Sequence, residues 1–306
     1  MHGQGGAPKR YFGLDTLATA VDKLLMQKRN FLLESVHRVL GPLPVTALEF
    51  ALAEESKHGL RFRVQAANAK RKKAVLALWV SNRHGGVSKT AAEAHGVLRT
   101  LHERAPDHVI RPLAGGRVLL PPKRGKAAEK RELYGWCSEW LNGYYPLDVG
   151  ANGQCAVWAP RPKAFSLAQS DALRGQLVEG IIRSYDPKTN TAMEVPHVPV
   201  GDVAATQPQK TAPRLKIVAC RRLIRNMNPV KLIHRVATAR WSVEDGEVPV
   251  APSDPAVFIA AVERAVGRDL ARAWLGHYAK ALGSGAYAED EALPLAALPG
   301  GAAVRG

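Results

Sequence analysis

A chain of 306 residues, 46% of them hydrophobic, can bury a sizeable core in one large domain or two lobes, which excludes a wholly disordered protein. A net charge of +16 directs it toward anionic partners: phosphates of nucleotides or nucleic acid, or anionic lipid heads. The apolar run 74–80 is far shorter than the roughly 20 residues of a membrane helix, the first residues carry no apolar signal segment, and three cysteines without CxxC spacing argue against a disulfide framework or a structural zinc site. The expectation is a cytoplasmic protein without membrane insertion.

Residues 1–10, rich in glycine, read as a flexible tail. Between Leu14 and Leu40 apolar residues recur at helical spacing until Gly41-Pro42, which predicts one or two helices. Leu48, Phe50 and Leu52 then alternate with polar or small residues, and Phe62, Val64 and Ala66 alternate with Arg61, Arg63 and Gln65. This period of two predicts half-buried antiparallel strands. Asn68 to Lys73 reads as a turn, and the continuously apolar 74–80 suits the middle of a sheet. From Val87 to Arg104 the helical spacing returns, with Ala94, Val97, Leu98 and Leu101 on one face and Pro106 as the stop. Gly115-Gly116 reads as a hairpin turn between 109–110 and 117–120, the basic segment 121–131 as a loop, and 133–141 as an aromatic-rich strand. Further on, 167–185 is helical, 191–202 extended, 215–219 a short strand, and both 223–241 and 255–282 mostly helix. The stretch from about Leu293 to the last residue reads as a second tail.

Two basic clusters stand out, Lys70, Arg71, Lys72 and Lys73, and then Lys123, Arg124, Lys126, Lys130 and Arg131. A charged run is ordinarily a solvated turn or loop, but clustered lysine and arginine also suit a phosphate backbone. Arg221, Arg222, Arg225, Lys231, His234, Arg235 and Arg240 form a third basic region around Trp241. The ten histidines are scattered without ligand spacing, and no GxSxG nucleophile motif occurs.

The order of these elements, together with Glu93 to Leu101, Ala105 to Leu113 and Ser138 to Tyr144, resembles the protein-kinase-like superfamily, including aminoglycoside phosphotransferases. That resemblance implies an α+β, two-lobed fold, with a small antiparallel-sheet lobe carrying one inserted helix and a larger, mainly helical lobe. Its boundaries here would be 1–44 for a tail and helical extension, 45–138 for the small lobe, 139–285 for the large lobe and 286–306 for a tail.

The family's chemistry needs an Asp to orient the nucleophile, metal-binding Asn and Asp, and a Lys–Glu pair on the nucleotide phosphates. Carried onto this chain, the resemblance implies Asp186 as base with Lys188 in the same loop, Asn190 and Asp202 on Mg²⁺, Lys72 or Lys73 with Glu93 near the phosphates of ATP, and Glu139 to Leu141 at adenine. The match departs from the pattern in several places. Tyr185 replaces a basic residue, no Phe-Gly follows Asp202, and the third strand's interior has no lysine. In a second register Gly201-Asp202 supplies the catalytic Asp, and Cys220 then stands where a carboxylate is required. Asp186-Pro187-Lys188-Thr189-Asn190 is also an ordinary turn sequence.

His84 to Thr90 is similar to the phosphate loop of partition-type ATPases, but Ser88 stands in place of a required glycine, and the ordinary reading is a helix cap made by Ser88 or Thr90. Two functions remain open: a kinase-like nucleotide-binding protein, either an atypical phosphotransferase or a pseudokinase, and a basic nucleic-acid-binding or interaction protein without catalytic activity.

Overall fold

The computed structural model describes residues 24, 30–56, 59–81, 86–120, 131–158, 161–196, 201–208, 212–243, 246–287 and 293–299. The expected N-terminal tail, His84 and Gly85, and the basic segment 121–130 lie outside the described residues. The protein is α+β. It divides into two compact units, one comprising the described residues up to Gly96 with Arg111–Trp140, the other Val97–Ile110 with the described residues from Leu141 onward. No described helix is long and apolar enough to cross a membrane.

The first unit is built on strands β1 (Val45–Ser56), β2 (Gly59–Asn68), β3 (Lys73–Ser81), β4 (Pro112–Leu120) and β5 (Arg131–Glu139). They form one antiparallel sheet in the order β1-β2-β3-β5-β4. Helix α1 (Phe31–Leu40) precedes it, and α2 (Gly86–Arg104) runs between the third and fourth strands. The β2–β3 turn forms where the sequence places it, because the Asn68 carboxamide oxygen accepts the amides of Lys70 (3.0 Å) and Lys72 (3.1 Å) while Arg71 takes a positive φ of 59°. The period-two apolar residues Val64, Ala66, Leu76, Leu78 and Val80 line one face of the sheet with Leu133 and Cys137. Phe31, Leu32 and Val36 of α1 fill that face, and Asn30 caps the helix by accepting the amides of Leu32 and Leu33.

Gly115-Gly116 is not a turn. Both residues lie inside β4, opposite Trp136 and Gly135 of β5. The pair is explained by close approach from both sides of the sheet. A Cβ on Gly115 would stand 2.8 Å from the His95 ring and from the Trp136 Cβ, whereas one on Gly116 would stand 3.2 Å from the Phe31 ring behind the sheet. Gly135 completes the bare patch under Phe31, with a notional Cβ 2.9 Å from that ring.

The second unit is less helical than the sequence suggests. Strands β6 (Tyr144–Val149), β7 (Cys155–Trp158), β8 (Pro162–Ala164), β10 (Val203–Thr206) and β11 (Leu215–Ile217) make a second sheet in the order β11-β10-β6-β7-β8. Two small pairs add β9 (Ala192–Met193) to β12 (Leu223–Ile224) and β13 (Arg240–Val243) to β14 (Gly246–Pro249). The helices are α3 (Leu167–Arg183), α4 (Pro229–Ala237), α5 (Pro255–Val266) and α6 (Arg268–Gly283).

Helix α3 is the centre of this unit. It starts on a capping box between Ser166 and Gln169 and buries Leu173, Leu177, Val178, Ile181 and Ile182. Gly175 lets α5 approach, since a Cβ there would meet Val257 at 2.8 Å. Leu98 and Leu101 of α2 belong to this second core, so the boundary between the units falls within that helix. Leu293 and Leu298 are also buried in it, with a 3₁₀ turn at Leu295–Ala297, so the stretch expected to be a tail contributes core residues.

Candidate functional site

The residues implied by the kinase resemblance fall in both units. Lys72 and Lys73 are exposed at the β2–β3 turn, and Glu93 is exposed on α2. Along β3, Lys73 is six residues from Trp79, about 20 Å of strand. Glu93 is only two residues from His95, which packs on Trp136, the cross-strand neighbour of Trp79. The lysines and Glu93 are therefore at opposite ends of the strand and do not form a phosphate-holding pair. Glu139 Oε1 accepts the Arg111 amide at 2.9 Å, a bond that fastens the end of β5 to the start of β4. In the other unit, Leu141 packs against the second core.

Asp186, Lys188 and Asn190 share one tight turn. Asp186 and Thr191 exchange backbone hydrogen bonds across it, and Asn190 adopts a left-handed φ of 49°. The Asp186 carboxylate accepts the Lys188 amide (2.9 Å), the Thr189 hydroxyl (2.9 Å) and Arg104 Nη2 (3.1 Å). Thr189 first, then the Lys188 amide and Arg104, hold this carboxyl below its ordinary pKa. Such a group is a poor base, and its oxygens are occupied by the turn.

Asn190 Oδ1 accepts the Tyr185 hydroxyl at 3.3 Å. The Asp202 backbone carbonyl accepts the amides of Val218 and Ala219, placing Asp202 on the β10–β11 pair. Among the described residues no group of three or more His, Cys, Asp or Glu side chains could hold a metal ion. The Asn190 carboxamide oxygen is engaged within its own turn, and no catalytic step is derived through a metal at these residues.

The sequence signal that was missed lies on the other face of the first sheet. The register sets Arg61 beside Trp79, Trp79 beside Trp136, and Trp136 beside Gly115, a row crossing four strands. Trp79 and Trp136 stack with centroids 5.7 Å apart and planes within 7°. Arg61 lies over Trp79 at 5.1 Å and over Trp140 at 5.7 Å, and Arg63 lies over Trp140 at 5.9 Å.

At the row's far end the bare Gly115 admits His95, whose Nδ1 shares a hydrogen bond of 3.0 Å with the Tyr134 hydroxyl. Trp79, Tyr134, Trp136 and Trp140 are only partly buried, His95 is buried, and Arg63 is exposed. The alternation of Arg61 and Arg63 with apolar neighbours does predict a basic face on β2. Its aromatic half required the strand pairing.

No protein-family model matches the chain, and no curated protein matches it. Function therefore has to be read from this surface and from the placement of the side chains above.

Proposed function

We propose that the protein binds single-stranded nucleic acid on the arginine–tryptophan face of its first sheet, without phosphoryl transfer. The observation that carries this reading is the seating of Arg61 and Arg63 over Trp140, beside the stacked Trp79–Trp136 pair. An aromatic face on an antiparallel sheet offers stacking for unpaired bases, and neighbouring guanidiniums offer contacts to phosphates. The exposed Lys70, Arg71, Lys72 and Lys73 extend the positive surface along β2 and β3, about 23 Å of strand from Arg61. A net charge of +16 suits a polyanion better than a small neutral substrate. Duplex bases are already stacked on one another and leave no open ring face, so single strands are preferred.

Tryptophan fluorescence titrated with an oligothymidine and with a duplex of equal length tests this. Quenching by the single strand at low salt, weaker for the duplex and relieved by added salt, is the expected result. Absence of quenching at low salt, or binding indifferent to salt, would overturn it.

A second reading keeps the kinase-like frame for a nucleotide. It is favoured by a helix between the third and fourth strands of an antiparallel sheet, followed by a helix-bearing second unit. This is a likeness of frame, and frames outlive their chemistry. On this reading ATP with Mg²⁺ raises the melting temperature by mass action. No shift at saturating nucleotide would leave the nucleic-acid reading standing alone.

A further inference from the structure

The two edges of the first sheet are unlike. At one edge β4 carries Pro112, a register break between Pro112 and Gly115, and an exposed Arg117, all features that discourage another strand from pairing there. At the other edge β1 is 12 residues long, whereas strands commonly run to about 5–6. Among the described residues β1 is paired on one side only, with β2. Its register is broken between Val45 and Ala47 and again between Leu52 and Glu54. Between those breaks lies a regular stretch holding no proline, no lysine and one charge, Glu49. Glu49 and Ala51 are exposed, Leu48 and Phe50 pack partly on the α1 core, and Leu52 is 44% exposed.

We propose that this stretch is the docking edge for a second copy of the chain, β1 pairing antiparallel with its own counterpart about Phe50. What selects a second copy is self-complementarity. In that register Phe50 faces its symmetry mate, Leu48 faces Leu52, and Glu49 faces Ala51, so the apolar stripe continues across the joint and no two carboxylates oppose. The exposed Leu52 side chain gains Leu48 of the second copy as its facing apolar neighbour. Two-fold symmetry makes the contact close on itself as a dimer. Each copy carries a net charge of +16, so the copies repel at long range and added salt strengthens the dimer. Nucleic-acid binding has the opposite salt dependence, and the two properties are separable in one experiment.

The test uses the full chain, in sedimentation equilibrium and in disulfide cross-linking. Cys137, Cys155 and Cys220 are buried, so cysteines placed on the edge report without background from them. Mixing Glu49→Cys with Ala51→Cys should give cross-linked heterodimer well above either variant alone, because those two positions face each other only in the Phe50-centred register. Ala51→Glu should weaken the dimer severalfold by facing Glu49, and Ala51→Lys should tighten it. Their effects on net charge alone run in the opposite sense. A chain that stays monomeric at all concentrations and salts would overturn the proposal, as would cross-linking that is equal in the mixture and in the separate variants, or charge variants that follow net charge.

Discussion

Replacing Gly115 with alanine tests how the candidate face is assembled. The new methyl group would lie 2.8 Å from the His95 ring and 2.8 Å from the Trp136 Cβ. The second contact is to an atom fixed by its own strand, so rotation of a flexible side chain cannot relieve it. Overpacking of this kind costs about 1–3 kcal/mol. Alanine also restricts the unfolded chain, which offsets about 0.4–1 kcal/mol. The net expectation is a loss of about 1–2 kcal/mol, read as a lower urea midpoint, together with altered tryptophan emission as Trp136 and His95 shift. Gly276→Ala in α6 is the control, because a Cβ there meets nothing within 4 Å. It should stabilise by about 0.5–1 kcal/mol through helix propensity. A Gly115→Ala variant as stable as the parent, with unchanged emission, would show that His95 and Trp136 do not close on β4 as described.

Asp186→Asn should lower the melting temperature at neutral pH. Because the folded carboxyl has a depressed pKa, its stabilising contribution is present above the ordinary Asp range and is lost as pH falls through the folded value, so the variant and parent converge in acid. A difference that persists unchanged in acid would contradict the charged turn. Burial pushes the thiols of Cys137 and Cys220 up to about 12, and native protein at neutral pH should label slowly with a thiol reagent but rapidly once unfolded. Neutralising Lys70, Lys72 and Lys73 together should lower both the affinity for an oligonucleotide and its salt slope. Unchanged binding would remove the β2–β3 turn from the interface.

Much of the first unit was legible because its patterns are local. Alternation gave β1 and β2, the continuously apolar run 74–80 gave β3, and the turn residues at Asn68 sit where their side-chain hydrogen bonds require. The helical face from Ala94 to Leu101 gave α2. Gly115-Gly116 was misleading because the same residues serve a turn and a close approach, and only the positions of His95 and Phe31 decide between them. Strands β6 to β8 escaped notice because they are short and interrupted by Pro146, Asp148 and Pro162. Asp186 is attractive as a base in one dimension. In three, its oxygens close a turn and pair with Arg104 of a distant helix. The arginine–tryptophan row needs the register of four strands, which no single stretch of the chain contains.

The central claim is tested most directly by the salt dependence of oligothymidine binding in two variants of the same face. Arg63→Gln should weaken binding and reduce the slope of log affinity against log salt by about 0.7, the share of one single-strand phosphate. Trp140→Leu should weaken binding by about 1–3 kcal/mol, the loss of one stacked base, and leave that slope unchanged. Parental affinity and slope in both variants would contradict the assignment of nucleic-acid binding to this face.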